Sequence, residues 1–186
     1  LPGPEPTSDV DATDALFADS FDSGSLSAWS KAVTDRGDLA PSPNARILGS
    51  HGLSVTLDDG VLVYLTDERP RLERRLRVRF HLDPNSIPMR DADHIVLFTG
   101  NSMGNARLVQ VELAWGQGQF YLRAGLINDN NRFTYTPYTP ISDGPHAAEI
   151  DWVASPSARA HSGALTFWID GVQQGQKLPG GGETAG

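Results

Sequence analysis

Two stretches near the carboxyl end decide the fold: G-P-H-A-A-E-I-D-W-V at residues 144–153 and S-G-A-L-T-F-W-I-D-G-V at residues 162–172. In each, apolar and polar side chains alternate with a period of two, which is typical of an antiparallel strand with one buried face. The second stretch ends in Asp170-Gly171, a pair that favours a tight turn because glycine tolerates positive φ and aspartate can cap the turn. Together they predict two antiparallel strands.

The same alternation recurs along the chain and predicts about ten strands with short connections. The predicted strands cover residues 17–21, 45–48, 53–57, 61–66, 71–82, 95–99, 107–115, 120–127, 133–136, 146–153 and 164–172. The 19 glycines and 13 prolines are consistent with many turns between them. We therefore predict an all-β chain that forms a sandwich of two stacked antiparallel sheets.

Length and composition limit the class of protein and its partners. The 186 residues fit one large β-sandwich, and a hydrophobic content of 39% is enough for a packed core. The net charge of −8 disfavours nucleic acid and anionic membrane surfaces as partners, because both require basic patches. The absence of cysteine excludes disulfides, thiolate metal ligands and a cysteine nucleophile. No apolar run reaches the roughly 18–20 residues of a membrane helix, so we expect no membrane insertion.

Composition also divides the chain into three regions. Residues 1–14 are rich in proline and acidic side chains and lack periodicity, which predicts a flexible arm. Residues 15–172 carry all the predicted strands and are expected to form one sandwich domain. Residues 173–186 are rich in glycine and are predicted to be a flexible tail.

Alternation assigns the side chains of the long strands to faces, and the outer face is the predicted ligand surface. If these strands share a sheet, its outer face combines charged and aromatic side chains, namely Trp168, Tyr121, Arg77, Arg123, Glu112, Glu149 and Asp151. Aromatic rings can stack on sugar rings, and guanidinium groups can bind acidic groups in a forked geometry. The alternative is a structural ladder of ion pairs across the strands. Tyr135 and Tyr138 lie in T-Y-T-P-Y-T-P, a loop-like stretch.

Oxygen-bearing side chains at predicted turns are candidates for a calcium site, because calcium takes several carboxylate and carbonyl ligands. These candidates are Asp19 and Asp22 near the first turn and Asp170 in the Asp-Gly turn. We expect at most one structural calcium ion, and turn capping is the alternative for each residue. The histidines show no spacing typical of zinc, and no Ser–His–Asp arrangement is evident from the sequence.

The chain resembles the concanavalin A-like lectin/glucanase superfamily, in particular the laminin-G-like jelly-roll modules of bacterial surface proteins. The segments that carry the resemblance are F-A-D-S-F-D-S-G-S-L-S-A-W-S (residues 17–30), R-L-R-V-R-F-H-L-D-P-N-S-I (75–87), I-S-D-G-P-H-A-A-E-I-D-W (141–152) and G-A-L-T-F-W-I-D-G-V (163–172). The resemblance implies a jelly roll, often with a glycan or calcium site and equally often with an adhesive or spacer role. Such modules usually end in one more strand, which is missing after Val172. Either the missing strand lies outside this sequence, or a segment of a neighbouring chain supplies it, and the second alternative predicts an open sheet edge that pairs with another subunit.

The resemblance also raises the possibility of glycoside hydrolysis, which the residues disfavour. Family-16 glucanases of this superfamily carry E-x-D-x-x-E, whose two carboxylates act as nucleophile and acid. Glu149 and Asp151 match its first part, but Ala154 and Ser155 stand where the second glutamate is expected. We therefore predict a non-catalytic, extracellular or cell-surface module of a larger bacterial surface protein, which binds a glycan or cell-surface polysaccharide or acts in adhesion, although the sequence contains no signal peptide. The alternative is a structural subunit of a filament or layer assembled by strand exchange, and a glycoside hydrolase ranks third.

Overall fold

The computed structural model describes residues 15–69, 73–128, 130–157 and 159–180. These residues contain β-strands and two short 3-10 turns but no α-helix, which confirms the all-β prediction. The strands are β1 Lys31–Val33, β2 Leu39–Ser42, β3 Gly52–Val55, β4 Tyr64–Thr66, β5 Arg75–Leu82, β6 His94–Asn101, β7 Arg107–Gly116, β8 Gln119–Ile127, β9 Phe133–Tyr135, β10 Thr139–Ile141, β11 His146–Val153, β12 Ala164–Ile169, β13 Val172–Gln173 and β14 Leu178–Pro179.

The chain divides into two compact units, Leu1–Arg71 and Leu72–Gly186, so the predicted domain of residues 15–172 spans both. The predicted arm, residues 1–14, lies outside the described residues. In the first unit, β1 pairs with β4 and β2 pairs with β3, each pair antiparallel. The strand signals continue across the boundary without a linker-like segment, which is why the sequence predicts a single domain.

Two segments of the first unit that the sequence predicts as strands, residues 17–21 and 45–48, are not strands. Phe17 packs edge-on against Trp29 with ring centroids 4.8 Å apart, and Phe21 stacks on the same indole at 6.2 Å. Phe21 also has a positive φ of 62°, which breaks an extended backbone. The apolar residues of this segment therefore reflect packing around Trp29 and not a sheet. The second segment begins at the end of a 3-10 turn, Pro43–Ala45.

The second unit contains two antiparallel sheets. In the first, here called sheet A, the strand order is β10-β8-β7-β6, and β9 also pairs with β8. In the second, sheet B, the order is β13-β12-β11-β5, and β14 also pairs with β12. The two stretches that decided the fold are β11 and β12, which pair in register from Ala148 opposite Ile169 to Val153 opposite Ala164. Their predicted pairing is confirmed.

The two sheets share one buried apolar cluster, as expected for a β-sandwich. Sheet A contributes alternate residues of β7 and β8, including Val111 and Leu122, which are fully buried. Sheet B contributes alternate residues of β11 and β12, including Ile150, Leu165 and Phe167, each at most 1% exposed. Burial of one such side chain stabilises the fold by about 1.5–3 kcal/mol. In β5, β8, β11 and β12 the residues of opposite parity do not belong to this core, whereas in β6 a register shift lets the consecutive Leu97 and Phe98 both pack against it.

The predicted flexible tail is in part structured. Val172–Gln173 and Leu178–Pro179 both pair with β12, and Leu178 joins the core with 8% exposure. The tail is rich in glycine and glutamine, which favours flexibility. Leu178 nevertheless packs in the core and pairs with β12. Within the predicted tail, Gln173 and Leu178–Pro179 are thus paired with β12, while residues 174–177 belong to no strand. Residues 181–186 lie outside the described part of the chain.

We expect the shared core to dominate the stability of the second unit. Leu165→Ala should lower the free energy of unfolding by about 2–5 kcal/mol, because it removes a fully buried side chain and leaves a cavity. Val172→Ala, at a position 64% exposed in the same sheet, is the matched control and should change it by less than about 0.5 kcal/mol. Denaturant unfolding measures both, and equal effects would contradict the assigned core.

Candidate functional site

The seven predicted ligand residues do not form one surface. Sheet A carries three of them, Glu112, Tyr121 and Arg123, and sheet B carries the other four, Arg77, Glu149, Asp151 and Trp168. Since alternate residues of these strands fill the shared core, the two groups lie on the outer faces of different sheets. The assumption that all long strands share a sheet is wrong, because alternation fixes the parity of a residue but not the sheet to which its strand belongs.

The outer face of sheet A holds a buried polar network centred on Glu112 and Gln110, each 3% exposed. Arg123 Nε donates to Glu112 Oε2 at 2.6 Å, and the Gln110 amide donates to Glu112 Oε1. The Tyr135 hydroxyl lies 2.8 Å from Gln110 Nε2, and Arg107 donates to Gln110 Oε1 at 3.0 Å. A carboxylate removed from water is costly unless it is paired and hydrogen-bonded. Here Glu112 is both.

A glycine makes room for this network. Cross-strand register places Gly125 opposite Gln110 on one side and opposite Tyr135 on the other. A Cβ atom at Gly125 would lie 2.6 Å from Tyr135 Cε1 and 3.0 Å from Phe133 Cδ1, closer than side chains allow. The tyrosine ring therefore lies across the bare backbone of Gly125, which brings its hydroxyl to Gln110.

Two tyrosine rings flank the Arg123 guanidinium. Its Cζ lies 3.7 Å from the ring centroid of Tyr135 and 4.3 Å from that of Tyr138. Tyr121 meets Tyr138 edge-on at 6.0 Å, and its hydroxyl accepts a hydrogen bond from Gln119. Tyr138 is 46% exposed, so its ring is open to a ligand. We call Tyr121, Arg123, Tyr135 and Tyr138 the tyrosine platform.

The one charged side chain of the platform, Arg123, is paired with the Glu112 carboxylate beside it. Burial raises the pKa of the Tyr135 phenol, and the nearby Glu112 carboxylate raises it further. The phenol is therefore a neutral hydrogen-bonding group at physiological pH. The charge of Arg123 is matched by that of Glu112, and cation–π contacts with both rings add to this pairing. The arrangement places aromatic rings around Arg123, with the Tyr135 hydroxyl bonded to Gln110 and the Tyr121 hydroxyl bonded to Gln119.

The outer face of sheet B is a ladder of ion pairs. Arg75 donates to both oxygens of Asp151 at 2.8 Å, and Arg77 Nε donates to Glu149 Oε1 at 2.5 Å. The Arg77 guanidinium also lies 5.9 Å from the ring centroid of Trp168. These contacts match the structural alternative for this face. Because the arginines are exposed, each pair adds at most about 1 kcal/mol to stability.

The predicted calcium ligands are occupied by hydrogen bonds. Asp19 accepts from the Phe21 N–H and from the Trp29 indole, both at 2.8 Å. Asp22 accepts from the Ser50 N–H, the Ser50 hydroxyl and the His51 N–H, which lower its pKa to about 2. These two residues belong to the first unit and Asp170 to the second. The described part of the chain contains no group of three or more His, Cys, Asp or Glu residues placed to hold a metal ion.

Asp170 belongs to a different arrangement, which the sequence did not reveal. Its Oδ2 lies 2.6 Å from His146 Nδ1, and His146 Nε2 lies 2.8 Å from the Ser142 hydroxyl. His146 follows Ser142 by 4 residues across a turn and precedes Asp170 by 24, and the pairing of β11 with β12 brings Asp170 to the histidine. A histidine at the start of a strand and an Asp-Gly turn at the end of its partner is the signal that could have indicated it.

Two members of the tyrosine platform, Tyr135 and Tyr138, lie in a stretch whose sequence is typical of a loop. Tyr135 ends β9, and Tyr138 lies between β9 and β10, which both pair with β8 at the edge of sheet A. Prolines in strands are confined to sheet edges, so Pro137 and Pro140 indicate an interrupted edge strand and not a free loop. That signal could have placed both tyrosines beside Arg123.

Comparisons with known family models, with curated proteins and with solved structures each return no match to this chain. The concanavalin A-like assignment therefore stays a prediction from the sequence. Within the described residues, no helix has the length and apolar character required to cross a membrane.

The fit of Tyr135 over Gly125 can be tested with a single methyl group. Gly125→Ala should displace the ring, lower the free energy of unfolding by about 1–3 kcal/mol, and bring the pKa of Tyr135 back toward its ordinary value. Gly116→Ala is the matched control, because the nearest atom to its Cβ, Tyr121 Cε2, is 4.0 Å away. Spectroscopic titration of the tyrosines and denaturant unfolding measure these effects. A normal Tyr135 titration in the wild type would contradict the network.

Asp22 should titrate far below an ordinary aspartate. Its pKa of about 2 in the folded state, against 3.8 ordinarily, means that its contribution to stability is complete above pH 3.8 and disappears as the pH falls through 2. Carboxyl-detected NMR of the wild type should show this midpoint. Ser50→Ala, which removes the strongest donor, should raise the pKa of Asp22. An unchanged midpoint in the variant would contradict the role of the hydroxyl.

Proposed function

We propose that this protein is a carbohydrate-binding module of an extracellular or cell-surface protein, and that the tyrosine platform of sheet A is its ligand surface. The observation that carries the proposal is the exposed ring of Tyr138 beside an arginine held in place by a buried carboxylate. Sugar rings present apolar C–H faces rimmed by hydroxyl groups, and an aromatic ring with polar neighbours complements both. The function thus follows from packing and polarity at one face.

Preorganisation supports the proposal. Arg123 is fixed by Glu112 on one side and by two rings, and Tyr135 is fixed by Gln110 and Gly125. A ligand that docks here does not have to immobilise these side chains, so less conformational entropy is lost on binding. Flexible surface aromatics would lack this advantage.

The charge of the protein and of the platform favours neutral over acidic saccharides. The net charge of −8 repels polyanions, and the charge of Arg123 is already neutralised by Glu112. Both observations favour a neutral polysaccharide over a sulfated or uronic acid-rich one. The exposed arginines of sheet B are engaged by Glu149 and Asp151, which leaves them poorly placed to recruit an acidic sugar.

The fold prediction is part of the same proposal. We infer a jelly-roll connection of the strands, as in the concanavalin A-like superfamily, because residues 75–87, 141–152 and 163–172 carry the resemblance and form strands of sheet B with its flanking turns. A calcium ion in this module stays a hypothesis. Ligand titration in the presence of calcium and of a chelator tests that hypothesis alongside binding.

Tyr138→Ala should weaken binding of a neutral polysaccharide found by array screening by about two- to tenfold, because an aromatic contact contributes about 0.5–1.5 kcal/mol. Tyr64→Ala removes a tyrosine of similar exposure, 39%, from the first unit and is the matched control. Trp168→Ala tests the outer face of sheet B. Isothermal titration calorimetry measures all three. A loss confined to Trp168→Ala would move the site to sheet B, and the absence of saccharide binding by the wild type would overturn the proposal.

A second candidate function is assembly into a filament or layer by strand exchange. It is favoured by β5 and β6, two eight-residue strands that each pair with a single neighbour among the described residues. Exposed backbone at an edge strand can pair with another chain, although the arginines of β5 oppose this. Light scattering after size-exclusion chromatography at several concentrations separates the candidates, since strand exchange requires a mass that grows with concentration.

A further inference from the structure

Ser142, His146 and Asp170 form a continuous hydrogen-bonded chain at one end of the second unit. The Ser142 hydroxyl lies 2.8 Å from His146 Nε2, and Asp170 Oδ2 lies 2.6 Å from His146 Nδ1. This order of atoms, with the hydroxyl on one ring nitrogen and the carboxylate on the other, is that of a nucleophile, a base and the group that orients the base.

The carboxylate determines the direction of the hydrogen bonds. An ionised aspartate can only accept, so His146 Nδ1 must carry a proton and donate it to Asp170. In the neutral imidazole, Nε2 then carries the lone pair and can only accept. The hydroxyl proton of Ser142 is consequently directed at Nε2, where a general base would remove it.

Asp170, at one end of this series of hydrogen bonds, is held in place by two backbone contacts. Asp170 Oδ1 accepts from the Ala147 N–H at 2.8 Å, and the Asp170 N–H donates to the Ala147 carbonyl at 2.8 Å. Asp170 has a φ of 52° and Gly171 a φ of 77°, so the Asp-Gly turn itself aims the carboxylate back at the neighbouring strand. The histidine side chain is only 13% exposed.

The serine end is held by a second contact. Asp143, which follows Ser142, accepts from the Ser86 N–H at 2.8 Å and from the Ser86 hydroxyl at 2.5 Å. This anchor fixes the short turn between β10 and β11 that contains Ser142. Ser142 itself is exposed, so an electrophile can reach its hydroxyl from solvent.

We propose that Ser142 is an activated nucleophile that accepts acyl groups from carboxylic esters, with His146 as general base and Asp170 as positioning residue. Ser142 Oγ forms a bond to the ester carbonyl carbon while its proton passes to His146 Nε2. The bond to the leaving alcohol then breaks, and the alcohol takes the proton from His146. Water, activated by the same nitrogen, attacks the acyl-serine and releases the acid, which restores the free hydroxyl.

This activity lies beyond the proposed carbohydrate binding and runs against the expectation of a non-catalytic protein. The structural alternative is that the three side chains merely fasten the turns that follow β10 and β12. Both explanations predict some loss of stability on substitution. Only the hypothesis that Ser142 is an activated nucleophile predicts that it reacts faster than other exposed serines.

The test is covalent labelling of the full chain with a fluorophosphonate, followed by peptide mapping, together with hydrolysis of p-nitrophenyl acetate. The wild type should be labelled on Ser142, and Ser142→Ala should abolish both labelling and hydrolysis. His146→Gln should slow the labelling of Ser142 at least about 100-fold, the usual contribution of a general base. Asp170→Asn should slow it as well, since the amide can present its N–H and no longer fixes the tautomer.

Ser50→Ala is the matched control, because Ser50 also lies beside a histidine, 3.0 Å from His51 Nδ1, but donates its hydroxyl proton to Asp22. Its removal should leave labelling and hydrolysis unchanged. Thermal unfolding of each variant confirms that it is folded. Absence of label on Ser142 in the wild type overturns the proposal without any variant, and so does an unchanged labelling rate in folded His146→Gln.

Discussion

The two-residue period of the strands is the constraint on which the rest of the second unit depends. Because β7, β8, β11 and β12 each place alternate side chains in one shared core, the other half of their residues must point away from it. Leu122 and Leu165 are fully buried for this reason, and Arg123 and Thr166 beside them are not. A slip of one residue in any of these strands would exchange core and surface, so the register that stabilises the fold also sets the platform.

That dependence explains why the long strands could be predicted, whereas several short ones, among them β1, β2 and β10, were not predicted. The strand predicted at residues 146–153 matches β11 residue for residue, because eight alternating positions define a face unambiguously. Residues 17–21 cover only five positions. There Phe17 and Phe21 pack against the indole of Trp29 and not against a sheet. A local pattern indicates that a side chain will be buried, but it does not indicate which part of the protein the side chain packs against.

The candidate site shows the same limit in another form. The alternation correctly predicted that three residues of β7 and β8 face outward, namely Glu112, Tyr121 and Arg123. From the same pattern, Glu112 is expected to be an exposed surface charge. Its 3% exposure arises from the Arg123 side chain, from Gln110 and from the Tyr135 ring, which comes from a strand on the far side of β8. Burial of a polar residue on an outer face depends on long-range neighbours, and Gly125 marks the place where the Tyr135 and Phe133 rings approach the sheet.

The hydrogen bonds that join Ser142, His146 and Asp170 are not visible in sequence spacing for a related reason. Ser142 and His146 flank a turn, whereas Asp170 arrives at the end of a different strand, and antiparallel pairing alone sets the span between them. The same Asp-Gly turn that the sequence marks as a tight reversal therefore has two effects. It joins β12 to β13, and because its backbone bonds to Ala147 it delivers a carboxylate to an imidazole. Asp170, which forms the turn, is therefore also the residue whose carboxylate lies beside His146 Nδ1.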